Sequence, residues 1–382
     1  TPMLYFAAKA RDADGAIMVT GSHNPADHNG FKMVLGGKPF FGADILALGQ
    51  RLAAGVPTGA GGTVIEDDVF EEYVERLVLD YDGRRGLKVV WAGAVVEALA
   101  QRLPGQHIPL HTAIDGHFPH HHPDPTIPAN LEDLRERVAL EGADFGVAFD
   151  GDGDRLGVVD GLGRILWGDQ ILVLLAEDLL KSHPGATVIA DVKASQVFFD
   201  EVARLGGRAL MGRSGHSLIK TMMAETGALL AGEMSGHLFF ADRYYGFDDA
   251  LYAAVRLLGL VGRWPSETLA LWRDRLPSRV NTPELRFACD EARKQEVVAE
   301  VRARLDTAGQ TYQAIDGVRV VTPEGWWLLR ASNTQAVLVA RCEAASSAGL
   351  ARVKADLAAQ LAARGGPPAP GRGGGPAPPK VC

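Results

Sequence analysis

One loop constrains this chain more than any other part of its sequence, the run Asp150-Gly151-Asp152-Gly153-Asp154-Arg155. Three carboxylates at alternate positions repel one another unless a cation lies between them. The two glycines let the backbone bend, so the carboxylates can converge on one hard divalent cation. Apolar runs at 145–149 and 156–160 flank the loop and are typical of buried strands. The sequence therefore predicts a metal-binding loop between two strands.

An EF-hand calcium loop is the main alternative for this spacing, and the sequence does not fit it. The sixth position of an EF-hand needs glycine and the twelfth needs glutamate, where this chain has Arg155 and Gly161. The flanks of an EF-hand are helices, whereas the flanks here are strand-like. A solvated turn without a cation is the weaker alternative, because the carboxylates would remain unneutralised.

Hydrophobic patterning predicts the fold class. Short β-rich runs alternate with amphipathic helical stretches between residues 16 and 205, which is typical of α/β layers with largely parallel sheets. Several strands and two helices follow without strict alternation, which indicates an α+β domain at the C-terminal end. Two prolines and an Asn-Thr-Pro turn within 276–283 mark the boundary between these parts.

Charge and composition limit the kinds of molecule that the chain is expected to bind and the compartment in which it is expected to work. The chain has 39 basic and 47 acidic residues, and this acidic balance argues against a nucleic-acid-binding surface. It leaves an anionic ligand open, because the charge of a site can oppose the net charge. We expect no membrane span, since the longest apolar stretch is too short, and we see no signal peptide. Three widely spaced cysteines that match no metal-site spacing favour a reducing compartment, so the predicted location is cytoplasmic.

A second loop, Thr20-Gly21-Ser22-His23-Asn24-Pro25, follows an apolar strand at 16–19. Its glycine permits a tight turn and its proline prevents further strand pairing. Ser22 is therefore expected at a strand end, where α/β folds bind their ligands. His23 can donate hydrogen bonds or move protons, and Lys32 follows an Asn-Gly turn that could return it to the same place. Taken alone, such a short motif also fits an ordinary polar turn.

Two further polar loops suit sugar and phosphate chemistry. In Gly232-Glu233-Met234-Ser235-Gly236-His237, Glu233 and Ser235 have the acceptor and donor groups that sugar hydroxyls require. The loop Arg330-Ala331-Ser332-Asn333-Thr334 follows a strand-like run at 326–329 and combines a guanidinium, two hydroxyls and an amide, which suits a phosphate. Each loop by itself also fits a surface turn.

Other polar residues lie outside these four loops. Lys193 follows a strand, and Arg213-Ser214-Gly215-His216-Ser217 forms a polar turn; both fit ordinary loops. A cluster of four histidines consists of His117, His120, His121 and His122. The prolines around this cluster and the lack of a cysteine partner favour a rigid proline-rich loop over a metal site.

Together, the four loops resemble in order and spacing those of the α-D-phosphohexomutase superfamily, and most closely its bacterial phosphomannomutase/phosphoglucomutase branch. The resemblance extends to about residue 364. It implies three similar α/β domains, the first one truncated, plus a C-terminal α+β domain around a central cleft. The implied parts are a partial phosphoserine domain at 1–67, a metal-binding domain at 68–164, a sugar-binding domain at 165–276 and a phosphate-binding domain at 277–364. A Gly- and Pro-rich tail at 365–382 is expected to be disordered.

The resemblance also implies roles for individual residues. Ser22 would carry a phosphoryl group and bind Mg²⁺ together with Asp150, Asp152 and Asp154. The remaining catalytic residues would be His23, Lys32, Arg155 and His216. The substrate would contact Lys193, Glu233, Ser235, His237, Arg330, Ser332, Asn333 and Thr334. Lys32 or His216 would exchange the proton, which for Lys32 requires a lowered pKa.

The implied reaction is a reversible phosphoryl transfer between the 1- and 6-positions of hexose phosphates of mannose or glucose. A hexose 1,6-bisphosphate would be both intermediate and activator. Met234 matches the mannose/glucose branch, since the glucosamine branch typically has glutamine there. The alternatives are a phosphoglucosamine mutase, a non-catalytic sugar-phosphate-binding protein and a hydrolase that uses the same loop.

The sequence departs from the family pattern in two places and leaves the oligomeric state open. The family pattern has an early strand and a basic loop in the first domain that have no counterpart among these residues. The chain also passes directly from Trp91 to Ala92, where the family has a Gly- and Asn-rich turn. True deletions would leave the first domain incomplete and its activity in doubt, which is the basis of the binding-only alternative. The presence of all four site loops argues against such a loss of function.

Overall fold

The computed structural model describes residues 1–25, 27–56, 59–333 and 335–363. The tail at 365–382 and Thr334, both named in the sequence-based predictions, lie outside the described residues. The chain divides into two compact units. Unit 1 comprises residues 1–189, 201–210 and 216–275, and unit 2 comprises residues 190–200, 211–215 and the residues from 276 onward.

Unit 1 begins with a helix and an antiparallel meander, α1 (Pro2–Ala10), β1 (Gly15–Val19), β2 (Phe31–Leu35) and β3 (Lys38–Phe40), followed by α2 (Ala43–Ala53). β1 pairs antiparallel with β2, and β2 pairs antiparallel with β3. The prediction of largely parallel sheets is wrong here, because the loop after β1 closes a hairpin with no helix between the strands. In this register Lys32 lies opposite Met18, close to the end of β1.

The next part of unit 1 contains the Asp-rich loop. Its elements are α3 (Phe70–Val78), β4 (Leu87–Ala92), α4 (Val96–Ala100), β5 (Gly105–Leu110), α5 (Glu132–Glu141), β6 (Phe145–Phe149), β7 (Leu156–Asp160) and β8 (Ile165–Leu166). The sheet order is β5-β4-β6-β7-β8, with β4 parallel to β5 and β6 and the remaining pairs antiparallel. Every residue of β6 and β7 is buried, so the predicted strands beside the loop are confirmed.

The rest of unit 1, with short segments assigned to unit 2, alternates helices and strands. The elements are α6 (Gly168–Ser182), β9 (Thr187–Asp191), α7 (Gln196–Arg204), β10 (Arg208–Gly212), α8 (His216–Thr226), β11 (Leu230–Gly232), β12 (Leu238–Phe240), α9 (Ala250–Arg263) and α10 (Leu269–Arg275). The strand order is β10-β9-β11-β12. α9 is almost entirely buried, and Asp249 caps it by accepting a hydrogen bond from the Tyr252 amide. Among the helices of the described residues, none combines the length and apolar character needed to cross a bilayer.

Unit 2 contains an antiparallel sheet with two helices. Its elements are β13 (Val280–Asn281), β14 (Leu285–Ala288), α11 (Lys294–Thr307), β15 (Val318–Thr322), β16 (Gly325–Ala331), β17 (Val337–Ala344) and α12 (Ser347–Ala362). The strand order is β13-β17-β16-β15, and β14 also pairs with β17. Val301, Trp327 and Leu357 belong to one buried core in which both helices pack against the sheet. The predicted C-terminal α+β architecture is confirmed.

Candidate active site

Four oxygen-bearing side chains converge at one end of β6 and β1. The Ser22 hydroxyl lies 2.7 Å from Asp152 Oδ1 and 3.2 Å from Asp150 Oδ2. One carboxylate oxygen each of Asp150, Asp152 and Asp154 lies within 4.8 Å of the others. Burial and the neighbouring Asp154 and Asp152 carboxylates raise the pKa of Asp150, as like charges in a low-dielectric site must do. The cluster has the donor chemistry of a hard divalent cation site.

The backbone at Ser22 and at the Asp-rich loop fit closely together. Ser22 adopts φ +50°, a left-handed conformation that is uncommon for a non-glycine residue. The Ser22 amide donates to Thr20 Oγ1 at 2.9 Å, which holds the turn after β1. A Cβ atom at Gly151 would lie 2.2 Å from the Ser22 carbonyl oxygen. Gly151 is therefore required for this close approach of the two loops.

Lys32 pairs with two of the three carboxylates. Its Nζ lies 2.8 Å from Asp152 Oδ2 and 2.5 Å from Asp154 Oδ2. Burial opposes the charge on Lys32, but Asp154 and Asp152 outweigh it and raise the pKa of the ammonium. The lowered pKa that a neutral Lys32 would need is therefore not present in this structure, because both neighbouring carboxylates stabilise the charged form.

Arg155 and His237 form a second layer around the carboxylates. Arg155 Nε donates to His237 Nε2 at 3.1 Å, and His237 Nδ1 lies 3.0 Å from Asp248 Oδ2. Since Nε2 accepts from Arg155, a ring proton lies on Nδ1, on the side of Asp248. His237 is buried; burial opposes a charge on the ring, but the Asp154 and Asp248 carboxylates outweigh it and raise the pKa of His237. The structure thus gives His237 the surroundings of a positioning residue, although the sequence placed it among the predicted substrate contacts.

His216 packs beside His237 and is held neutral. The two rings stack with their centroids 5.7 Å apart, and Lys220 Nζ lies 3.1 Å from His216 Nδ1. Burial and the Lys220 charge lower the pKa of His216 to about 3. Lys220 also pairs with Asp248 at 2.9 Å. Asp248 thus contacts both His237 and the lysine that lies beside His216.

The lowered pKa of His216 predicts a pH-dependent stability. The unfolded chain binds a proton at His216 below its ordinary pKa of about 6.5, whereas the folded chain does not, so stability falls as the pH falls from there towards 3. The loss is up to about 1.4 kcal/mol per pH unit. The free energy of unfolding in urea is measured between pH 6.5 and 5. In His216→Asn, the part of its decrease with falling pH that His216 causes should disappear. The exposed His183, changed to Asn, is the matched control, and an unchanged slope in His216→Asn would contradict the assignment.

His23 follows Ser22 and is also held neutral. Burial and the nearby Arg155 charge lower the pKa of His23 to about 4. Its ring lies edge-on to His122, with the centroids 6.4 Å apart. A neutral imidazole beside Ser22 can accept a proton or donate one hydrogen bond.

The loop between β11 and β12 holds the predicted sugar ligands. Ser235 Oγ donates to Glu233 Oε2 at 3.0 Å, and the Glu233 amide donates to the His237 carbonyl at 2.9 Å. Gly236 has φ +97°, and a Cβ there would lie 2.5 Å from the Leu156 carbonyl oxygen. The Leu156 amide donates to the Gly236 carbonyl at 3.0 Å. This loop is therefore fixed directly against the start of β7, where the Asp-rich loop ends.

Unit 2 contains a separate polar cluster. Arg330 Nε donates to Asp316 Oδ2 at 2.8 Å, and the Ser214 amide donates to the same oxygen at 3.1 Å. Asn333 Nδ2 donates to the Ser214 carbonyl at 3.2 Å. Lys193 is buried, with its Nζ 3.3 Å from Glu284 Oε2. At the end of β16, Arg330 and Asn333 are thus both tied to the turn that contains Ser214, Arg330 through Asp316 and Asn333 directly.

Family models for all four domains of one enzyme family match the chain. Phosphoglucomutase/phosphomannomutase alpha/beta/alpha domains I, II and III match residues 1–54, 71–163 and 167–278, and the C-terminal domain of that family matches residues 284–360. The chain belongs to the phosphoglucomutase/phosphomannomutase family. The predicted membership of the α-D-phosphohexomutase superfamily is therefore confirmed.

Individual members of this family align with most of the chain. A phosphomannomutase/phosphoglucomutase of Pseudomonas putida is 44% identical over 367 residues, which cover 94% of this chain and 79% of the relative. A phosphoglucomutase of Neisseria gonorrhoeae is 42% identical over 367 residues, which cover 93% of this chain and 79% of that relative. The crystal structure of a phosphoglucomutase/phosphomannomutase family protein from Burkholderia thailandensis superimposes with a TM-score of 0.84 at 45% identity, covering 92% of this chain and 76% of that one.

A distant solved structure shares the fold of this family member. The N-acetylphosphoglucosamine mutase of Aspergillus fumigatus, in complex with GlcNAc-6P and magnesium, has a TM-score of 0.56 at 14% identity and covers 90% of this chain and 88% of its own. At that identity the likeness concerns the fold alone.

In this family member the structure brings the predicted residues of unit 1 close together, and in unit 2 it places Arg330 and Asn333 beside Asp316 and Ser214. The unit 1 set comprises Ser22, His23, Lys32, Asp150, Asp152, Asp154, Arg155, His216, Glu233, Ser235 and His237. Sequence reasoning missed Lys220, Asp248 and Asp316, which orient these side chains. A signal was present for Lys220, because it lies one helical turn after His216; Asp248 and Asp316 had no local signal.

Proposed function

We propose that this chain interconverts the 1-phosphates and 6-phosphates of mannose and glucose through a phosphoryl group carried on Ser22. The class of hexose-phosphate mutase is confirmed by relatives of that name that are 41–45% identical over nine-tenths of the chain. The observation that carries the mechanism is the convergence of the Ser22 hydroxyl on three clustered carboxylates. A hydroxyl so placed can exchange a phosphoryl group beside a bound cation.

The three aspartates fit Mg²⁺, and they would hold it together with the oxygen of Ser22. Their oxygens are hard ligands, and their mutual repulsion gives the site a strong preference for a divalent cation. When bound, Mg²⁺ would stabilise the negative charge that develops on the transferred phosphoryl group. A neighbouring cation, Lys32, already pairs with two of the same carboxylates.

The reaction follows from what Ser22 and its neighbours can do. In the first half, the bond between phosphorus and Ser22 Oγ breaks while a bond to the open hydroxyl of the hexose monophosphate forms, and that hydroxyl loses its proton. The product of this step is a hexose 1,6-bisphosphate. In the second half, Ser22 Oγ takes the other phosphoryl group and the sugar oxygen regains a proton. Arg155 and Lys32 supply positive charge near the transferred group throughout.

The proton acceptor is expected to be His23 or Lys32. His23 is neutral at physiological pH and follows the nucleophile directly, whereas Lys32 would need its two carboxylates to be occupied by another cation before it could lose its proton. Both histidines are weak bases, with pKa values of about 4 for His23 and about 3 for His216, so position decides between them. His216 lies against His237, Lys220 and Asp248, whereas His23 is adjacent to Ser22 in the chain.

The remaining loops would bind the substrate itself. Glu233 and Ser235 would contact sugar hydroxyls, since each has donor or acceptor groups of the required kind. Arg330, Ser332, Asn333, Thr334 and Lys193 would bind the substrate phosphate, because a guanidinium and amide donors match its oxygens. Asp316 would hold the guanidinium plane of Arg330 in a fixed orientation, because it accepts the Arg330 Nε hydrogen bond.

Replacing Arg330 with lysine tests the phosphate role. Arg330→Lys keeps the charge but loses the rigid fork and the Nε hydrogen bond to Asp316, so we expect KM for the hexose phosphate to rise by about tenfold or more, with a smaller change in kcat. Steady-state kinetics would measure this. Arg352→Lys is the control, because Arg352 pairs with Glu324 at an exposed position. A larger fall in kcat than rise in KM would contradict a binding role.

Coupled assays test the proposed activity. Glucose 1-phosphate, mannose 1-phosphate and glucosamine 1-phosphate are each supplied with Mg²⁺ and catalytic hexose 1,6-bisphosphate, and the 6-phosphate formed is measured. We expect turnover of the first two sugars and its loss on addition of a chelator. Preferred turnover of glucosamine 1-phosphate would favour the alternative mutase, and steady release of inorganic phosphate would indicate a hydrolase. Absence of all turnover would contradict the proposal.

A further inference from the structure

Five of the histidines in the chain lie within residues 111–122, which we call the histidine loop, and they are His111, His117, His120, His121 and His122. The loop follows β5. Its carboxylate Asp115 pairs with His117, and a second carboxylate, Asp133, comes from α5. One ligand atom each of His111, His121 and Asp133 lies within 4.8 Å of the others. Two imidazoles and a carboxylate therefore meet outside the active site.

The triad is held together by direct contacts, and its ligand atoms lie close enough to one another to reach one ion. His111 Nε2 lies 2.9 Å from Asp133 Oδ2, and the rings of His111 and His121 are nearly perpendicular at 79° with centroids 5.6 Å apart. His121 Nδ1 lies 3.0 Å from the His122 carbonyl oxygen. A carbonyl can only accept, so Nδ1 carries the proton and Nε2 keeps its lone pair. Metal-binding histidines are typically oriented in this way by a backbone carbonyl.

The triad is accessible from solvent. The side chain of Asp133 is 51% exposed and that of His111 is 21% exposed. An ion arriving from solution can therefore reach the carboxylate first, while the more covered imidazole offers a preformed ligand. Water can complete the coordination shell on the open side, as in zinc sites with three protein ligands.

We propose that His111, His121 and Asp133 bind one divalent cation of the Zn²⁺, Ni²⁺ or Cu²⁺ class. Imidazole nitrogen suits these borderline ions, whereas Mg²⁺ prefers sets made of oxygen alone. The site is therefore chemically distinct from the cluster of Asp150, Asp152 and Asp154. The proposal does not depend on the reaction that the chain catalyses.

Cation binding here would restrict the motion of the segment at 122–124, which packs against residues of the active site. Directly after the histidine loop, Pro123 Cγ lies 3.3 Å from where a Cβ of Gly151 would be, and Asp124 Oδ1 lies 3.9 Å from Arg155 Nη1. His122 contacts the ring of His23. An ion that joins the loop to α5 would thus stabilise the residues that pack against the Ser22 loop and the Asp-rich loop.

Titration of the full, untagged chain with Zn²⁺ tests the site. The protein is first treated with a chelator and then held in excess Mg²⁺, so that the aspartate cluster is saturated. Calorimetry should show one Zn²⁺ equivalent, and Zn²⁺ should raise the melting temperature because it binds the folded chain. In His111→Ala, His121→Ala and Asp133→Asn the affinity should fall at least about tenfold. His117→Ala is the matched control, since the His117 side chain is 91% exposed in the same loop and pairs with Asp115 alone among the described residues.

Electron paramagnetic resonance with Cu²⁺ gives an independent readout. The spectrum of the parent chain should show nitrogen coupling from two imidazoles, and His121→Ala should reduce it, while His117→Ala should leave it unchanged. Circular dichroism establishes that each variant is folded. Zn²⁺ affinity that is equal in all variants, Cu²⁺ coupling without nitrogen, or the absence of any Zn²⁺ binding would each overturn the proposal.

Discussion

Replacement of Ser22 with alanine should abolish mutase turnover, with a loss of at least about 10³-fold in kcat. The hydroxyl is the atom that would exchange the phosphoryl group, and the neighbouring carboxylates cannot substitute for it in a reversible transfer. Ser22 is half-buried and contacts Asp150 and Asp152 through its hydroxyl alone, so its loss should not unfold the chain. Coupled assays in both directions would measure the effect.

Thr20 provides the control for this variant. Its hydroxyl accepts from the Ser22 amide and holds the turn, but it is assigned no part in the transfer. Thr20→Ser retains that acceptor and should keep turnover within a few-fold of the parent chain. Turnover by Ser22→Ala at a rate near that of the parent would show that the phosphoryl group is carried elsewhere.

Replacement of Gly151 with alanine should reduce turnover by about 10²-fold, although the residue has no side chain to take part in chemistry. The added Cβ would lie 2.2 Å from the Ser22 carbonyl oxygen, so one of the two loops must move. A displacement of about 1 Å at a reacting group is sufficient for a loss of this size. Steady-state kinetics and the Mg²⁺ concentration for half-maximal rate should both change, because Ser22 and the aspartates separate.

A second glycine in unit 1 separates this steric effect from a general effect of alanine. Gly49 lies in α2, and a Cβ added there would meet no neighbouring atom within 4 Å. Gly49→Ala should therefore leave turnover unchanged and slightly stabilise the helix. Equal activity of Gly151→Ala and the parent chain would mean that the close approach of the two loops is not needed for catalysis.

Local sequence patterns were enough to predict the Asp-rich loop and its strands. Alternating aspartates and glycines between two apolar runs have few structural solutions, and the structure has β6 and β7 at the predicted positions. The parallel-sheet prediction failed at β1, β2 and β3 because hairpins and crossovers cannot be distinguished from short strands alone. The chain there forms a meander, which nothing in the alternation pattern indicated.

The partners that orient the site could not be predicted because the chain brings them from far away in sequence. Asp248 contacts His237 and Lys220, and Asp316 holds Arg330, yet neither aspartate lies in a motif. The same holds for the histidine loop, because His121 and Asp133 come together only when α5 packs beside the loop. Patterns in sequence identify groups with chemistry, whereas their pairing depends on the tertiary fold.

Mass spectrometry of the intact chain tests the central claim most directly. The protein is incubated with hexose 1,6-bisphosphate and Mg²⁺, measured, and then mixed with excess hexose monophosphate and measured again, with peptide mapping to locate any modification. The account predicts one phosphoryl group on Ser22 that disappears when the monophosphate is added, with hexose bisphosphate formed in equal amount. An active chain whose Ser22 never carries a phosphoryl group, or carries one that the substrate does not remove, would contradict it.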